Sequence, residues 1–225
     1  MDYQWDFSVV NDNIDVFLKG LGISFALTFI VIFIGTLLGF FLGIFLSTKD
    51  EDDSGFKKIL TVLIDAVRAL PILIFILVIN YWAPPVIGIH SPFLLSCLAL
   101  SLNLTAFVSD VVRSAIESVP KPYALAGFAL GMTPKSVSRR IIIPEAIRQV
   151  IPTFSLLYID VFKMSSIASV IAVKELTYSA TLISSNSFRF LEVFTFLAII
   201  YLSIILPFSY GARRLEKSKW FTRRS

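Results

Sequence analysis

The strongest constraint on the fold of this chain is a stretch of 26 residues, Leu21 to Leu46, without a single charged side chain. A helix needs about 20 mostly apolar residues to cross a bilayer, so this stretch is long enough to span one. The apolar part of a cleaved signal peptide is shorter and follows basic residues, whereas four aspartates and one lysine precede this stretch. The stretch therefore predicts a retained membrane-spanning helix.

Composition extends this conclusion to the whole chain. Of its 225 residues, 56% are hydrophobic and 16% are charged. A soluble domain has about 45–50% hydrophobic and about 25% charged residues. Pro84, Pro85 and Gly88 interrupt a long uncharged stretch and predict an interfacial loop between two spans. The chain is thus predicted to be an all-α integral membrane protein, a single domain over residues 1–225. Its five predicted transmembrane helices cover about residues 21–46, 59–80, 91–112, 150–173 and 193–210.

The distribution of basic residues predicts the orientation. Fifteen lysines and arginines flank the spans on one side of the predicted topology, and three flank them on the other. Cytoplasmic flanks carry the excess of Lys and Arg, so we expect the N-terminus outside and the C-terminus in the cytoplasm. The fifteen are Lys49, Lys57, Lys58, Arg113, Lys121, Lys135, Arg139, Arg140, Arg148, Arg213, Arg214, Lys217, Lys219, Arg223 and Arg224, and the three are Lys19, Lys174 and Arg189.

The longest predicted cytoplasmic loop, about residues 113–148, contains a short apolar helix. Pro120 and Pro122 favour a helix start, and Gly131 with Pro134 favours its end. Two interpretations fit this pattern. The helix rests on the lipid surface, or it docks into a cleft of a cytoplasmic partner.

The same loop resembles the signature loop of ABC-transporter permeases, which reads Glu-Ala-Ala, three residues, Gly, nine residues, then Ile-x-Leu-Pro. Here nine residues separate Gly131 from Ile141-Ile142-Ile143-Pro144, and Leu125-Ala126-Gly127 occupies the Glu-Ala-Ala position. Further segments resemble the polar amino-acid importer branch, in the same order along the chain. They include Arg68-Ala69-Leu70-Pro71, Leu100-Ser101-Leu102-Asn103, Lys163-Met164-Ser165-Ser166-Ile167 and Val173-Lys174-Glu175-Leu176-Thr177.

The resemblance implies a permease subunit of an ATP-driven amino-acid importer in a bacterial inner membrane. It also implies three partners besides lipid: a second permease chain, a dimer of ATP-binding subunits and an extracytoplasmic substrate-binding protein. The sequence has no Gly-x-x-x-x-Gly-Lys-Ser/Thr phosphate loop. We therefore expect no cofactor and no catalytic residue in this chain, with ATP and Mg²⁺ bound by the partner subunit, and the small net charge of +4 does not favour nucleic acid.

The loop departs from the family pattern at two positions. Leu125 replaces the family's Glu, and Gly127 replaces its second Ala. Docking is then expected to be mostly apolar, through Leu125, Phe128, Ala129 and Leu130. The coupling loop also includes Ala126, Gly127, Gly131 and Pro144. Two alternatives stay open. The chain is the degenerate half of a heterodimer, or it is a non-transport membrane scaffold that kept the permease fold.

Charged residues inside the predicted spans are costly and need a reason. Asp160 and Lys163 are three residues apart and pair on one helix face. They either only neutralise each other, or Asp160 faces the pathway and binds the ammonium or side-chain cation of an amino acid. The family usually has a neutral residue at this position, which makes Asp160 the main candidate for substrate selectivity.

The other polar positions have weaker functional interpretations. Arg68 pairs with Asp65 at the same spacing, and a structural pair is favoured over a pathway site. Asn103 is either a hydrogen-bonding residue of the pathway or an interhelical packing residue. His90 has no second metal ligand nearby, and Cys97 has no cysteine partner, so we expect no metal site.

Overall fold

The computed structural model describes residues 3–48 and 55–216. Every regular element in these residues is helical, which confirms the predicted all-α class. The helices are α1 (Ser8–Asp12), α2 (Ile14–Ser47), α3 (Gly55–Ala69), α4 (Ile72–Ile87), α5 (Pro92–Ser118), α6 (Lys121–Ala129), α7 (Pro134–Val137), α8 (Ile143–Met164), α9 (Leu176–Ser187) and α10 (Phe190–Glu216). Five of the predicted cytoplasmic cations lie outside the described residues: Lys49, Lys217, Lys219, Arg223 and Arg224.

Within the described residues, four helical stretches are long and apolar enough to cross a membrane. They are Ile14–Ser47, Pro92–Ser118, Pro134–Ile171 and Phe190–Arg214. The bent pair α3 and α4 makes a fifth span if the two helices count as one. The membrane-protein class is therefore confirmed with four or five spans.

The predicted single span over residues 59–80 is two helices in the structure. α3 and α4 meet at 112° at the break after Ala69. Pro71 has an extended backbone, with φ −56° and ψ 130°, and the residue before a proline is disfavoured in the helical conformation. A long apolar stretch did not reveal this break, because the residues on both sides of Pro71 are apolar.

The predicted loop at Pro84–Pro85 is also different in the structure. α4 continues through both prolines to Ile87, and Gly88 ends it in the left-handed conformation with φ 69°. The Gly88 N–H donates to the carbonyl of Pro84 at 2.9 Å, which closes the last turn. The connection to α5 is consequently shorter than predicted.

The fourth predicted span, residues 150–173, is the C-terminal part of a longer helical segment, Pro134–Ile171. A π-helical turn, Ser138–Ile142, joins α7 to α8, and a 3-10 helix, Ser165–Ile171, follows α8. Pro144 lacks an N–H and its ring crowds the preceding turn, so the wider π turn before it accommodates the proline. The basic segment from Lys135 therefore belongs to the same helical segment as the span.

The chain forms two compact units from discontinuous segments. The first contains residues 1–32, 71–101 and 158–210, and the second contains residues 33–70, 102–157 and 211–225. The core of the first unit consists of Phe17, Leu176, Ala180, Ile183, Val193 and Leu197. A core cluster of the second unit consists of Ala115, Val119, Ala146 and Val150.

Close contact between α2 and α5 in the second unit depends on glycine. A Cβ atom built on Gly39 would lie 2.6 Å from Cβ of Val108 and 2.8 Å from the carbonyl oxygen of Thr105. A Cβ atom on Gly43 would lie 2.6 Å from the carbonyl oxygen of Ser109. This is the geometry of small-xxx-small helix packing in membranes, where backbones approach closely without side chains between them.

Candidate functional site

The short helix α6 begins and ends where the sequence predicts. Pro120 precedes it in an extended conformation, and Gly131 follows it with φ 75°. The N–H of Met132 donates to the carbonyl of Gly127 at 3.1 Å, and the N–H of Gly131 donates to that of Phe128 at 2.9 Å. These two bonds form a Schellman cap, in which the left-handed residue is most often glycine. The cap therefore explains why the predicted motif has glycine at position 131.

Gly127 is the residue through which α6 contacts the following helical segment. It is buried, and a Cβ atom on it would lie 2.8 Å from Cγ2 of Val137 and 2.9 Å from Cδ1 of Ile141. The absence of a side chain lets α6 lie directly against the α7 region. Glycine in place of the family's second alanine weakens an isolated helix, but here it allows α6 to pack closely against the next helical segment.

Four large apolar or aromatic side chains in and directly after α6 are exposed. Leu125 is 63% exposed and Leu130, the residue after the helix, is 81% exposed, while Tyr123 and Phe128 are about half exposed. We call these four residues the loop knob. Large apolar side chains that stand clear of their own chain mark a surface for a partner or for lipid.

The base that carries the loop knob is well packed. Ala115 and Val119 of the α5 end cluster with Ala146 and Val150 of α8, and all four are buried. In addition, the Ser118 hydroxyl donates to Oε1 of Gln149 at 3.1 Å. The loop therefore begins and ends on a packed pair of helices, which can transmit a displacement of α6 to the spans.

The predicted pair Asp160 and Lys163 forms in the structure. The Lys163 ammonium contacts Oδ1 of Asp160 one turn along α8, and both side chains are about half exposed in the single chain. Because about half of each side chain is exposed in the single chain, a third charged group can reach the pair.

The other two predicted pathway residues, Arg68 and Asn103, lie in the second unit, whereas Asp160 and Lys163 belong to the first. Arg68 contacts Asp110 of α5 at 2.9 Å and Asp65 at 3.7 Å, so its main partner is not the residue that the sequence suggested. Asn103 is buried in α5.

Asp110 is a residue that the sequence analysis missed. It forms an ion pair with Arg68 and accepts a hydrogen bond from Arg113 at 3.3 Å, so one carboxylate serves two guanidinium groups. The guanidinium of Arg68 also lies 5.3 Å from the ring centroid of Phe107, in a cation–π contact. Since Asp110 and Arg113 are three residues apart, their spacing is a sequence signal for this cluster.

Glu175 is a second residue whose role the sequence analysis missed. It is fully buried and caps α9, since its carboxylate accepts from the N–H of Thr177 at 2.9 Å and from that of Tyr178 at 2.7 Å. The Ser24 hydroxyl of α2 also donates to it at 3.2 Å and in turn accepts the N–H of Leu176 at 3.1 Å. Burial raises the pKa of Glu175, and these hydrogen bonds oppose the rise.

The α9 cap joins α2 to α9 inside the first unit. Gly20, one turn before Ser24, completes the contact, because a Cβ atom there would lie 2.5 Å from Oγ of Ser179 and 3.0 Å from the carbonyl oxygen of Glu175. An acidic residue before a helix is the sequence signal for the cap. The contact with α2 has no signal in the local sequence, because 151 residues separate Ser24 from Glu175.

Comparisons with known proteins are consistent with this arrangement. Residues 39–220 match the model of the family described as "binding-protein-dependent transport system inner membrane component". The chain is 33% identical over 158 residues to a probable glutamine ABC transporter permease protein, GlnM, of Bacillus subtilis, covering 70% of this chain and 73% of that protein. It is 32% identical over 158 residues to the glutamine transport system permease protein GlnP of Escherichia coli K12, covering 69% and 72%.

A solved structure shows the same fold. The chain superimposes on a crystal structure of an amino acid ABC transporter with histidines, with a TM-score of 0.86 and 29% sequence identity. The superposition covers 96% of this chain and 99% of the other. The likeness to a solved structure thus extends over more of the chain than residues 39–220, which the family model matches.

Proposed function

Because the chain belongs to the family of binding-protein-dependent transport system inner membrane components, we propose that it carries amino acids across the membrane as the permease subunit of an ATP-driven importer. It is a multi-pass protein of the bacterial inner membrane. The observation that carries the proposal is the loop knob, an exposed apolar surface held on a packed helical base.

The family implies an ATP-binding subunit and a substrate-binding protein as partners. In the proposed mechanism, ATP and Mg²⁺ bind to the ATP-binding subunits, and closure of these subunits moves α6. The base formed by α5 and α8 transmits this motion to the spanning helices. The binding protein delivers the amino acid at the extracytoplasmic side.

This chain forms half of the translocation pathway in the proposed assembly, and a second permease chain forms the other half. Leu125 stands where the family has a glutamate, so the contact with the ATP-binding subunit is apolar on this side. The second chain is either a copy of this one or a related permease that keeps the acidic loop. Transport that persists at full rate after deletion of every related permease gene excludes the heterodimer.

The docking role of the loop knob is testable by co-purification. Leu125→Asp and Leu130→Asp each place a charge on the exposed apolar surface, and we expect each to reduce recovery of the ATP-binding subunit with the permease. Leu182→Asp is the matched control, because Leu182 is an exposed leucine on α9, in the other compact unit. Equal recovery with all three variants contradicts docking through the loop knob.

Asp160 is the proposed selectivity residue. Its carboxylate is half exposed, and Lys163 on the same helix pairs with it and would compete with a substrate ammonium. Asp160→Asn is expected to reduce uptake of the transported amino acid and to change the order of preference in a panel of amino acids. Asp15→Asn is the matched control, since Asp15 is an exposed carboxylate paired with Lys19 on α2. Unchanged uptake and preference in Asp160→Asn contradict the assignment.

A role of Arg68 and Asn103 in the substrate pathway stays a prediction. The contact of Arg68 with Asp110 supports a structural role for that arginine, and the burial of Asn103 supports interhelical packing.

A further inference from the structure

The segment Tyr3–Phe7 presents three aromatic rings ahead of α1, with polar residues between them. Tyr3 and Trp5 meet edge to face, and Trp5 and Phe7 stack with their planes 4° apart, each pair at a centroid distance of 5.6 Å. The three rings form a continuous row, which we call the aromatic ladder. Its residues are between 45% and 56% exposed.

Polar contacts hold the backbone of the aromatic ladder against the start of α10. Glu192 is fully buried, and its carboxylate accepts from the Tyr3 hydroxyl and, at 3.0 Å, from the N–H of Asp6. Arg189 donates to the carbonyl of Gln4 at 3.0 Å and contacts the carboxylates of Glu192 at 3.5 Å and Asp6 at 3.9 Å. Asp6, Arg189 and Glu192 are thus paired with one another, and the rings are left exposed.

These contacts hold the aromatic ladder against the N-terminal end of α10. From Phe190 onward α10 is long and apolar enough to cross a membrane, so the ladder lies beside the end of a candidate spanning helix. The ends of spanning helices lie near the membrane–water boundary, which Tyr and Trp favour because they combine an apolar ring with a polar end.

The exposed surface next to the ladder is apolar as well. Phe190, Leu191 and Phe194 of the first turns of α10 are exposed, large and hydrophobic. Among the described residues of this surface, Asp6, Arg189 and Glu192 are paired with one another. An apolar surface that is continuous with a candidate spanning helix fits lipid better than a soluble protein, whose contacts at the rim are polar.

We propose that the aromatic ladder is an interfacial anchor that inserts among the lipid headgroups and the upper acyl chains. The hydrogen bonds and ion pairs of Arg189 and Glu192 keep the anchor beside the first turn of α10. This role requires only that the chain spans the membrane, so it is independent of the transported substrate.

The test uses the assembled transporter in phosphatidylcholine vesicles with brominated acyl chains, since bromine quenches tryptophan on contact. Trp5→Phe keeps an apolar ring, and subtracting its fluorescence from that of the unchanged protein isolates the Trp5 signal from every other tryptophan. We expect loss of most of this signal with bromine near the headgroup end of the chains and a smaller loss with bromine near the chain ends. Arg189→Gln is expected to reduce the difference between the two depths.

Two outcomes overturn the proposal. A Trp5 signal that neither brominated lipid quenches, in a preparation where Trp5→Phe retains transport, shows that protein or water covers the ladder. A Trp5 signal that is fully quenched by aqueous acrylamide and becomes protected when substrate-binding protein is added assigns the ladder to that protein instead.

Discussion

Glycine at two positions of α2 determines how closely that helix approaches α5. At Gly39 an added Cβ atom meets the Val108 side chain and the Thr105 backbone, and at Gly43 it meets the Ser109 backbone. The end of a side chain can rotate away from an added Cβ atom, whereas backbone atoms of a helix cannot. These two positions therefore require glycine because of packing against α5, and not because of their backbone conformation.

Gly39→Ala is expected to destabilise the protein by about 1–3 kcal/mol, the usual cost of overpacking a well-packed contact. Gly22→Ala on the same helix is the control, because an added Cβ atom there meets nothing within 4 Å. Alanine at Gly22 is expected to leave stability unchanged or to raise it by up to about 1 kcal/mol. Thermal unfolding in detergent measures both, and an equal loss in the two variants contradicts the packing argument.

Glu175 caps α9 from a fully buried position, which predicts a dependence on pH. A carboxyl whose pKa is raised by folding binds its proton more tightly in the folded chain. The free energy of unfolding should therefore fall as the pH rises above about 4.3, the ordinary pKa of glutamate. Glu175→Gln should remove this part of the dependence, measured as the unfolding temperature against pH. A slope that is the same in the variant contradicts the assignment.

At the scale of elements, the sequence predicted α6 better than it predicted the spans. Proline before the helix and glycine after it act locally, so both signals can be recognised in a short window. Gly131 then appears as the left-handed residue of the cap, in agreement with the prediction.

Gly131→Ala is expected to weaken the cap by about 1–2 kcal/mol, because its φ of 75° disfavours any residue with a Cβ atom. The strain should displace the loop knob and lower substrate-stimulated ATPase activity. Gly88→Ala provides a matched control, since Gly88 has φ 69°, ends α4 and meets nothing within 4 Å. ATPase stimulation that falls equally in both variants contradicts a specific role of the α6 cap.

The break between α3 and α4 shows the limit of the hydropathy argument. Hydropathy averages over about 20 residues and does not distinguish one straight helix from two helices that meet at 112°. Pro71 was a visible signal for the break. Pro71 interrupts a helical stretch, whereas the helix continues through Pro144. The preceding π turn makes room for that proline.

The candidate site was predicted only where its contacts are local. Asp160 and Lys163 pair across one turn as expected. The contacts of Asp110 with Arg68 and of Glu175 with Ser24 join segments that are distant in the chain. A single sequence contains no signal for such pairs, and only the fold brings them together.

At the scale of the whole molecule, the distribution of charge predicts the topology. Tyr123 of the loop knob is expected in the cytoplasm, and Asp12 at the end of α1 is expected outside. After Cys97→Ala, a membrane-impermeant thiol reagent added to intact spheroplasts should label Asp12→Cys and leave Tyr123→Cys unlabelled until the membrane is opened. The reverse pattern contradicts the predicted orientation.

The central claim is that this chain moves an amino acid through the membrane only when ATP-binding subunits engage its loop. Uptake of a panel of labelled amino acids by proteoliposomes, containing the permease, its ATP-binding subunit and its binding protein, tests this claim most directly. We expect ATP-dependent accumulation of at least one amino acid, and loss of that uptake with Leu125→Asp but not with Leu182→Asp. Assembled, correctly oriented complexes that hydrolyse ATP and accumulate none of the amino acids contradict it.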